Sequence, residues 1–254
     1  MAQASIIAPY QKIPKAVYQQ AIAHQLDECK AIYTPRYSNP LLIIGMVLGM
    51  IVLDIVVWAV LASIFDRISY YLLFVPFIII GYGIYGLIHS NERVYAFGNG
   101  FIYAKGRRLV PVRWDQVGSV WRKISQGRSG TSFVYTVCRN DGQMLKFGSP
   151  LRNVNVLGNE LQEQVNRLQL PRAIAAYYAG QPVTFGVVRV DGQGINNGKE
   201  LIPWDQIGCI RLPQEVIAVE KNGRLLKWPS VKGADVPNLV VFIRLVEHIV
   251  KGQQ

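Results

Sequence analysis

The chain is poor in the residue types that carry catalysis and redox chemistry. Its three cysteines, Cys29, Cys138 and Cys209, form no Cys-x-x-Cys pair. Their scatter argues against a zinc site or a disulfide framework and suits a reducing compartment. The three histidines, His24, His89 and His248, are equally dispersed. No Gly-x-Ser-x-Gly elbow, phosphate-binding loop or His-Glu-x-x-His motif occurs. The sequence therefore points to no catalytic residue, no metal and no cofactor, and to a protein that is not an enzyme. Acidic residues are also scarce, 16 against 27 Lys and Arg, for a formal charge of +11. Nucleic acid and anionic membranes are the general partners of such chains. With no zinc-finger spacing, helix-turn-helix pattern or arginine-rich tail, nucleic acid is not expected.

What the chain has in abundance is apolar length. Leu41 to Phe65 is 25 residues whose only charge is Asp54, and Ile68 to His89 is 22 residues without a formal charge. A spanning helix needs about 20 such residues. Only Asp66 and Arg67 separate the runs, which predicts an antiparallel hairpin of two transmembrane helices over residues 41–89. Lys30, Arg36, Arg93, Lys105, Arg107 and Arg108 flank its open end, against Arg67 alone in the turn. That bias places both termini in the cytoplasm, in a multi-pass protein of the inner (plasma) membrane. Asp54 is the candidate intramembrane polar site. It serves either as a packing hydrogen-bond group, with Tyr82 as candidate partner, or as part of a proton or ion path. Gly45 and Gly49 form a GxxxG spacing that would admit a second copy as a homodimer.

Before the hairpin, residues 1–40 show one moderate helical stripe, from Lys15 to Ile32, through Val17, Ala21, Ile22 and Leu26. It fits either a helix packed on the later domain or one lying on the membrane. After the hairpin the period becomes two. Short strands alternate with turns at Gly98-Asn99-Gly100, Gly106 to Arg108, Gln126 to Gly130 and Asn140-Asp141-Gly142. A helical pattern follows, with Val156, Leu157, Leu161, Val165 and Leu168 on one face.

The same order then returns. Trp114-Asp115-Gln116-Val117-Gly118 reappears as Trp204-Asp205-Gln206-Ile207-Gly208, and Leu145-Lys146-Phe147 as Leu226-Lys227-Trp228. With Gly100-Phe101-Ile102 returning as Gly194-Ile195-Asn196, and the closing helix as Asn238 to Val250, four blocks recur in one order and indicate a tandem duplication. It divides the α+β region into residues 91–170, a linker at 171–182, and residues 183–252. Trp114 and Trp204 read as core anchors, and Asp115 and Asp205 as acceptors for backbone N–H groups in the turns.

Short strands closed by a helix, the Trp-Asp turn, the Asn-Gly hairpin and a preceding apolar pair together resemble the membrane-anchored bacterial pleckstrin-homology-like proteins. The resemblance covers roughly residues 41–252. It implies two tandem small β-barrels, each closed by a C-terminal helix, and a membrane-tethered adaptor or scaffold. The chain departs from the phosphoinositide-binding members, because its first hairpin loop, Gly98-Asn99-Gly100, carries no charge.

From residue 90 onward there are 22 basic and 12 acidic residues. Lys105, Arg107, Arg108, Arg113, Arg122, Lys123 and Arg128 are the candidates for contact with anionic lipid head groups or an acidic protein. The expected function is a non-enzymatic, membrane-anchored binding or scaffold protein. The alternative is a subunit of a membrane transport or envelope-stress complex in which Asp54 works within the membrane.

Overall fold

The computed structural model describes residues 13–36, 39–64, 74–128, 130–212, 216–221 and 224–252. Helix α1 covers Lys15–Ala23 and strand β1 covers Cys29–Tyr33. The expected helix through Ile32 is thus cut short. Gln25 and Asp27 take left-handed φ values of 54° and 63°, and Leu26 drops into the core. The chain is then free to pair with a strand some sixty residues further on, so tertiary pairing overrides local helical period.

Helix α2 spans Pro40–Ile64 and helix α3 spans Val75–His89. They pack against each other along a close seam. A Cβ added at Gly83 would lie 2.5 Å from Val47 Cγ2, and one at Gly86 would lie 3.5 Å from Ile43 Cγ2. The two-span expectation needs correction here. Among the described residues only Pro40–Leu61 is long and apolar enough to cross a membrane, and α3 has 15 residues. At 1.5 Å per residue α3 is about 22 Å long, short of a hydrocarbon core of about 30 Å. Pro76 sits in the first described turn of α3, where a missing N–H is tolerated. The expected turn, Asp66-Arg67, lies outside the described residues.

Strands β2 (Glu92–Phe97), β3 (Gly100–Lys105) and β4 (Arg108–Arg113) follow. They form an antiparallel sheet in the order β1-β2-β3-β4. A single 3-10 turn, Trp114–Gln116, carries the chain out of this sheet. Strands β5 (Val117–Gly127), β6 (Gly130–Arg139) and β7 (Met144–Gly148) make a second sheet, and helix α4 covers Val154–Tyr178.

The second half repeats this order. Strands β8 (Val183–Phe185), β9 (Val188–Asp191), β10 (Gly194–Asn196) and β11 (Leu201–Pro203) form one sheet. After the 3-10 turn Trp204–Gln206 come β12 (Cys209–Arg211), β13 (Val216–Lys221) and β14 (Arg224–Lys232), then helix α5 (Leu239–Gly252). In this alignment β1 matches β8 and β2 matches β9. The apolar pair α2–α3 therefore occupies the place that Gly186-Val187, a two-residue turn, fills in the second half.

The expected closed barrels are also corrected. Among the described residues the strands form four separate antiparallel sheets, and none closes into a barrel. The reason is local. At Trp114 and Trp204 the 3-10 turns break the ladder, so β4 and β5, and β11 and β12, share no strand hydrogen bonds. Across the other edge of the first unit the described residues make an isolated bridge, Pro35 to Leu151.

One continuous core joins both halves. It includes Phe101, Trp114, Tyr135 and Phe147 of the first with Ile195, Trp204, Phe242 and Leu245 of the second. Helix α4 is shared. Leu157, Leu161 and Val165 belong to the first half's core, while Tyr177 meets Trp204 edge-on at 5.9 Å. Most of the expected linker is thus the end of α4, which runs on through Pro171.

A polar staple adds to this. Asn238 sits at φ 51°. Its Oδ1 accepts from the Val120 N–H at 2.8 Å, and its Nδ2 donates to the Gly118 carbonyl at 3.0 Å and to Gln169 Oε1 at 2.7 Å. Gln169 Nε2 donates in turn to the Val117 and Gly118 carbonyls. Removing such a group orphans its buried partners at about 1–3 kcal/mol each. Asn238→Ala should destabilise the full chain by about 2–4 kcal/mol. Asn238→Gly should cost less, because glycine accepts the left-handed φ. The denaturation midpoint in detergent measures both, and equal midpoints for wild type and Asn238→Ala would show that the staple contributes nothing.

Candidate membrane-facing site

The site forms where α2 and α3 meet the first sheet. Strand register fixes it. Glu92 pairs with Lys105, and Lys105 with Arg108. The Gly106 N–H donates to the Asn91 carbonyl at 3.3 Å. The turn needs glycine, because its φ is +60°. The β3–β4 tip therefore lies beside the foot of α3, with Lys105, Arg107 and Arg108 exposed.

Beneath the tip is a buried acid that the sequence did not single out. Glu92 is 3% exposed. Burial pushes its carboxyl above the ordinary glutamate value, and His89, Lys105 and a hydrogen bond from Tyr103 offset part of that shift. The Tyr103 hydroxyl is raised in turn, by burial first and then by Glu92. His89 Nε2 stands 3.9 Å from Glu92 Oε2, and its Nδ1 faces the Tyr85 carbonyl at 2.9 Å. A second such pair joins β1 to α4. Burial and the neighbouring Glu160 push Tyr33 up to about 12. Burial likewise raises Glu160, against the pull of Lys30 and Tyr33.

The other candidates divide. Arg113 is at the far end of β4 from the tip, about 17 Å away at strand rise. Its guanidinium pairs with Asp115 through Nε at 3.1 Å and Nη2 at 3.2 Å. Arg122 is half-buried in β5 opposite Tyr135, and Lys123 is exposed opposite Val134. Arg128 is exposed at the β5–β6 tip. That tip is at the end of its sheet where Gly148 leads into Ser149 and Pro150. The Pro150 carbonyl accepts from the Arg36 N–H at 2.8 Å, just before α2.

The repeat anchors are structural. The Trp114 indole N–H donates to the Gly98 carbonyl at 3.0 Å, and that of Trp204 to the Asp191 carbonyl at 2.9 Å. Asp115 takes the Arg113 guanidinium rather than turn N–H groups. It is Gln116 Oε1 that accepts the Arg113 N–H. Asp205 is exposed in the matching turn.

Within α2, Ile43, Val47, Ile51, Asp54 and Trp58 are the less exposed residues, at helical spacing, on the side that meets α3. Asp54 thus belongs to the seam. Tyr82 is 76% exposed and adjoins Gly83, which packs on Val47, so it does not meet Asp54. Gly45 and Gly49 lie on the uncovered side, with no protein atom near the position of a Cβ.

These features define an α+β protein of two repeated antiparallel units, the first interrupted by an apolar helix pair. The chain belongs to a family of unknown function, DUF6585, which matches it over residues 1–254. No curated protein and no solved structure matches it.

The buried acid gives a pH prediction. Because the folded-state value of Glu92 is raised, the native chain holds a proton that the unfolded chain releases at lower pH. This contribution to stability is present below the ordinary glutamate value and is lost as pH rises through the raised one. Glu92→Gln keeps an acceptor for Tyr103 and removes the charge. Its unfolding midpoint should exceed wild type at pH 7, and the gap should close at about pH 4. A gap independent of pH would contradict this.

Proposed function

We propose that this chain is a non-enzymatic, membrane-anchored binding protein that holds its two β units against the anionic inner face of the plasma membrane. Support comes first from α2. Leu42, Met46, Leu48, Leu53, Ile55 and Val60 are all exposed along it. A soluble monomer rarely leaves so large an apolar surface uncovered. Second, β1 before α2 and β2 after α3 are paired neighbours. Whatever depth the helices reach, the chain returns to the side it left, and both β units stay on that side.

The observation that carries the binding partner is the position of the β3–β4 tip. Lys105, Arg107 and Arg108 project beside the foot of α3, within reach of head groups when α3 is embedded. Basic groups so placed contribute about 1 kcal/mol each at an anionic surface. We therefore read anionic lipid head groups as the ligand of this tip, with α2 and α3 as the anchor.

Hydrogen exchange of the full chain in lipid nanodiscs tests this. Amides of residues 105–108 should exchange more slowly in discs containing anionic lipid than in zwitterionic discs. The difference should vanish in Arg107→Glu/Arg108→Glu and at about 1 M salt, where the Debye length is about 3 Å. Equal exchange in both lipids would reject head groups as the ligand and leave an acidic protein as the partner of this tip.

A further inference from the structure

A cleft of about 580 Å³ lies at the feet of α2 and α3, under the loop that follows β7. Its deeper walls are Met46, Val47 and Met50 of α2 with Ile79 and Tyr82 of α3. At Gly83 and Gly86 the side chains of Val47 and Ile43 pack on bare α3 backbone, and the groove runs beside this close seam. From Ile43 to Met50 the apolar wall runs about 10 Å at helical rise.

The opposite end is different in kind. Arg36, His89 and Ser149 form it, and no carboxylate is among the described residues of the lining. The Arg36 side chain is exposed and has no ion-pair partner among the described residues. Outside the lining, the Arg152 guanidinium donates to the Arg36 backbone carbonyl at 3.2 Å, which sets a second cation beside this end of the cleft. Ser149 is already engaged, since its hydroxyl accepts the Phe133 N–H at 2.9 Å. The cationic end is held in place by backbone bonds, Arg36 N–H to Pro150 and Arg152 N–H to Thr34.

Apolar walls below, Arg36 at the upper end and Arg152 beside it, on helices with an uncovered apolar surface, match one amphiphile in both order and charge. We infer that this cleft is a site for a single anionic glycerophospholipid. One acyl chain lies along Met46, Met50 and Tyr82, and the phosphate meets Arg36 and Arg152. The inference rests on the reading that α2 and α3 are embedded in a bilayer. It adds a defined binding site to the diffuse attraction at the β3–β4 tip.

The test uses the full chain in nanodiscs containing a phosphatidylglycerol with a photoactivatable acyl chain, and maps adducts by mass spectrometry. Adducts should concentrate at Met46, Met50 and Tyr82 over Leu48, which lies at the same depth among the glycines of the uncovered side. Arg36→Gln and Arg152→Gln should each lower cleft labelling roughly five-fold, the worth of one basic group at an anionic surface. Labelling at Leu48 should stay unchanged in both variants. A phosphatidylcholine probe should label Met46 and Leu48 alike. Equal labelling of Met46 and Leu48 by the anionic probe would mean bulk lipid only and overturn the site. Cleft labelling that ignores both arginine substitutions would overturn the head-group assignment. Absence of adducts from Met46, Met50, Tyr82 and Leu48 alike would instead overturn the bilayer reading, and the site with it.

Discussion

The pairing of β1 with β2 is the constraint on which the rest of the molecule depends. Tyr33 pairs with Val94 and Ile32 with Tyr95, across an apolar excursion of two helices. Neighbouring strands are held about 4.8 Å apart. The chain therefore leaves the sheet and rejoins it at nearly one point. In the second half the same two strands, β8 and β9, are joined by Gly186-Val187. The apolar pair is in effect a hairpin turn enlarged by two helices. A loop of that length costs little extra closure entropy, because the cost grows only logarithmically with length. The insertion is tolerated because the ladder on either side does not change.

The repeated elements show what each half needs in order to fold. Both halves place a glycine on the third strand of the four-stranded sheet, Gly100 and Gly194. A side chain there would collide with the carbonyl of Val112 or Ile202 on the neighbouring strand. Both end that sheet in a tryptophan whose indole N–H reaches back to a backbone carbonyl of the preceding hairpin. The tryptophan buries its ring at the junction of two sheets while its one polar atom stays satisfied. The 3-10 turn it heads is where one ladder ends and the next begins, and this is why the strands stay in two sheets.

These features were legible in unequal measure. The Trp-Asp-Gln blocks, the Asn-Gly hairpin and the apolar run of α2 are local signals, and the structure places a local element on each. β1 is not local. Cys29 to Tyr33 has no strand pattern of its own and becomes a strand because β2 offers it an edge. Pro171 reads as a break, yet α4 continues because its later turns, through Ala173 and Tyr177, have the second half's core to pack against. Arg113 and Arg108 look alike in sequence. Only register shows that one lies at the foot of α3 and the other is paired with Asp115 at the far end of the same strand. The buried acid Glu92 depends on Tyr103 and His89, which the sequence gives no reason to bring together.

Glu92 and Asp54 show how differently two carboxylates on one apolar excursion are handled. Glu92 sits where the excursion rejoins the sheet, and the protein supplies its surroundings: a hydroxyl donor from Tyr103, the imidazole of His89 and the cation of Lys105. Asp54 sits inside α2 and makes no hydrogen bond or ion pair among the described residues. Where such a helix is inserted in a bilayer, a carboxylate near its centre costs about 2.5–3.5 kcal/mol. Its place on the stripe through Val47, Ile51 and Trp58 turns it toward α3 rather than outward. Gly83 opposite Val47 and Gly86 opposite Ile43 fix the antiparallel register. By that register Asp54 falls level with the first turn of α3, around Pro76. The stripe thus sets Asp54 inside the helix pair, whereas Glu92 is met by groups of the sheet and of the end of α3.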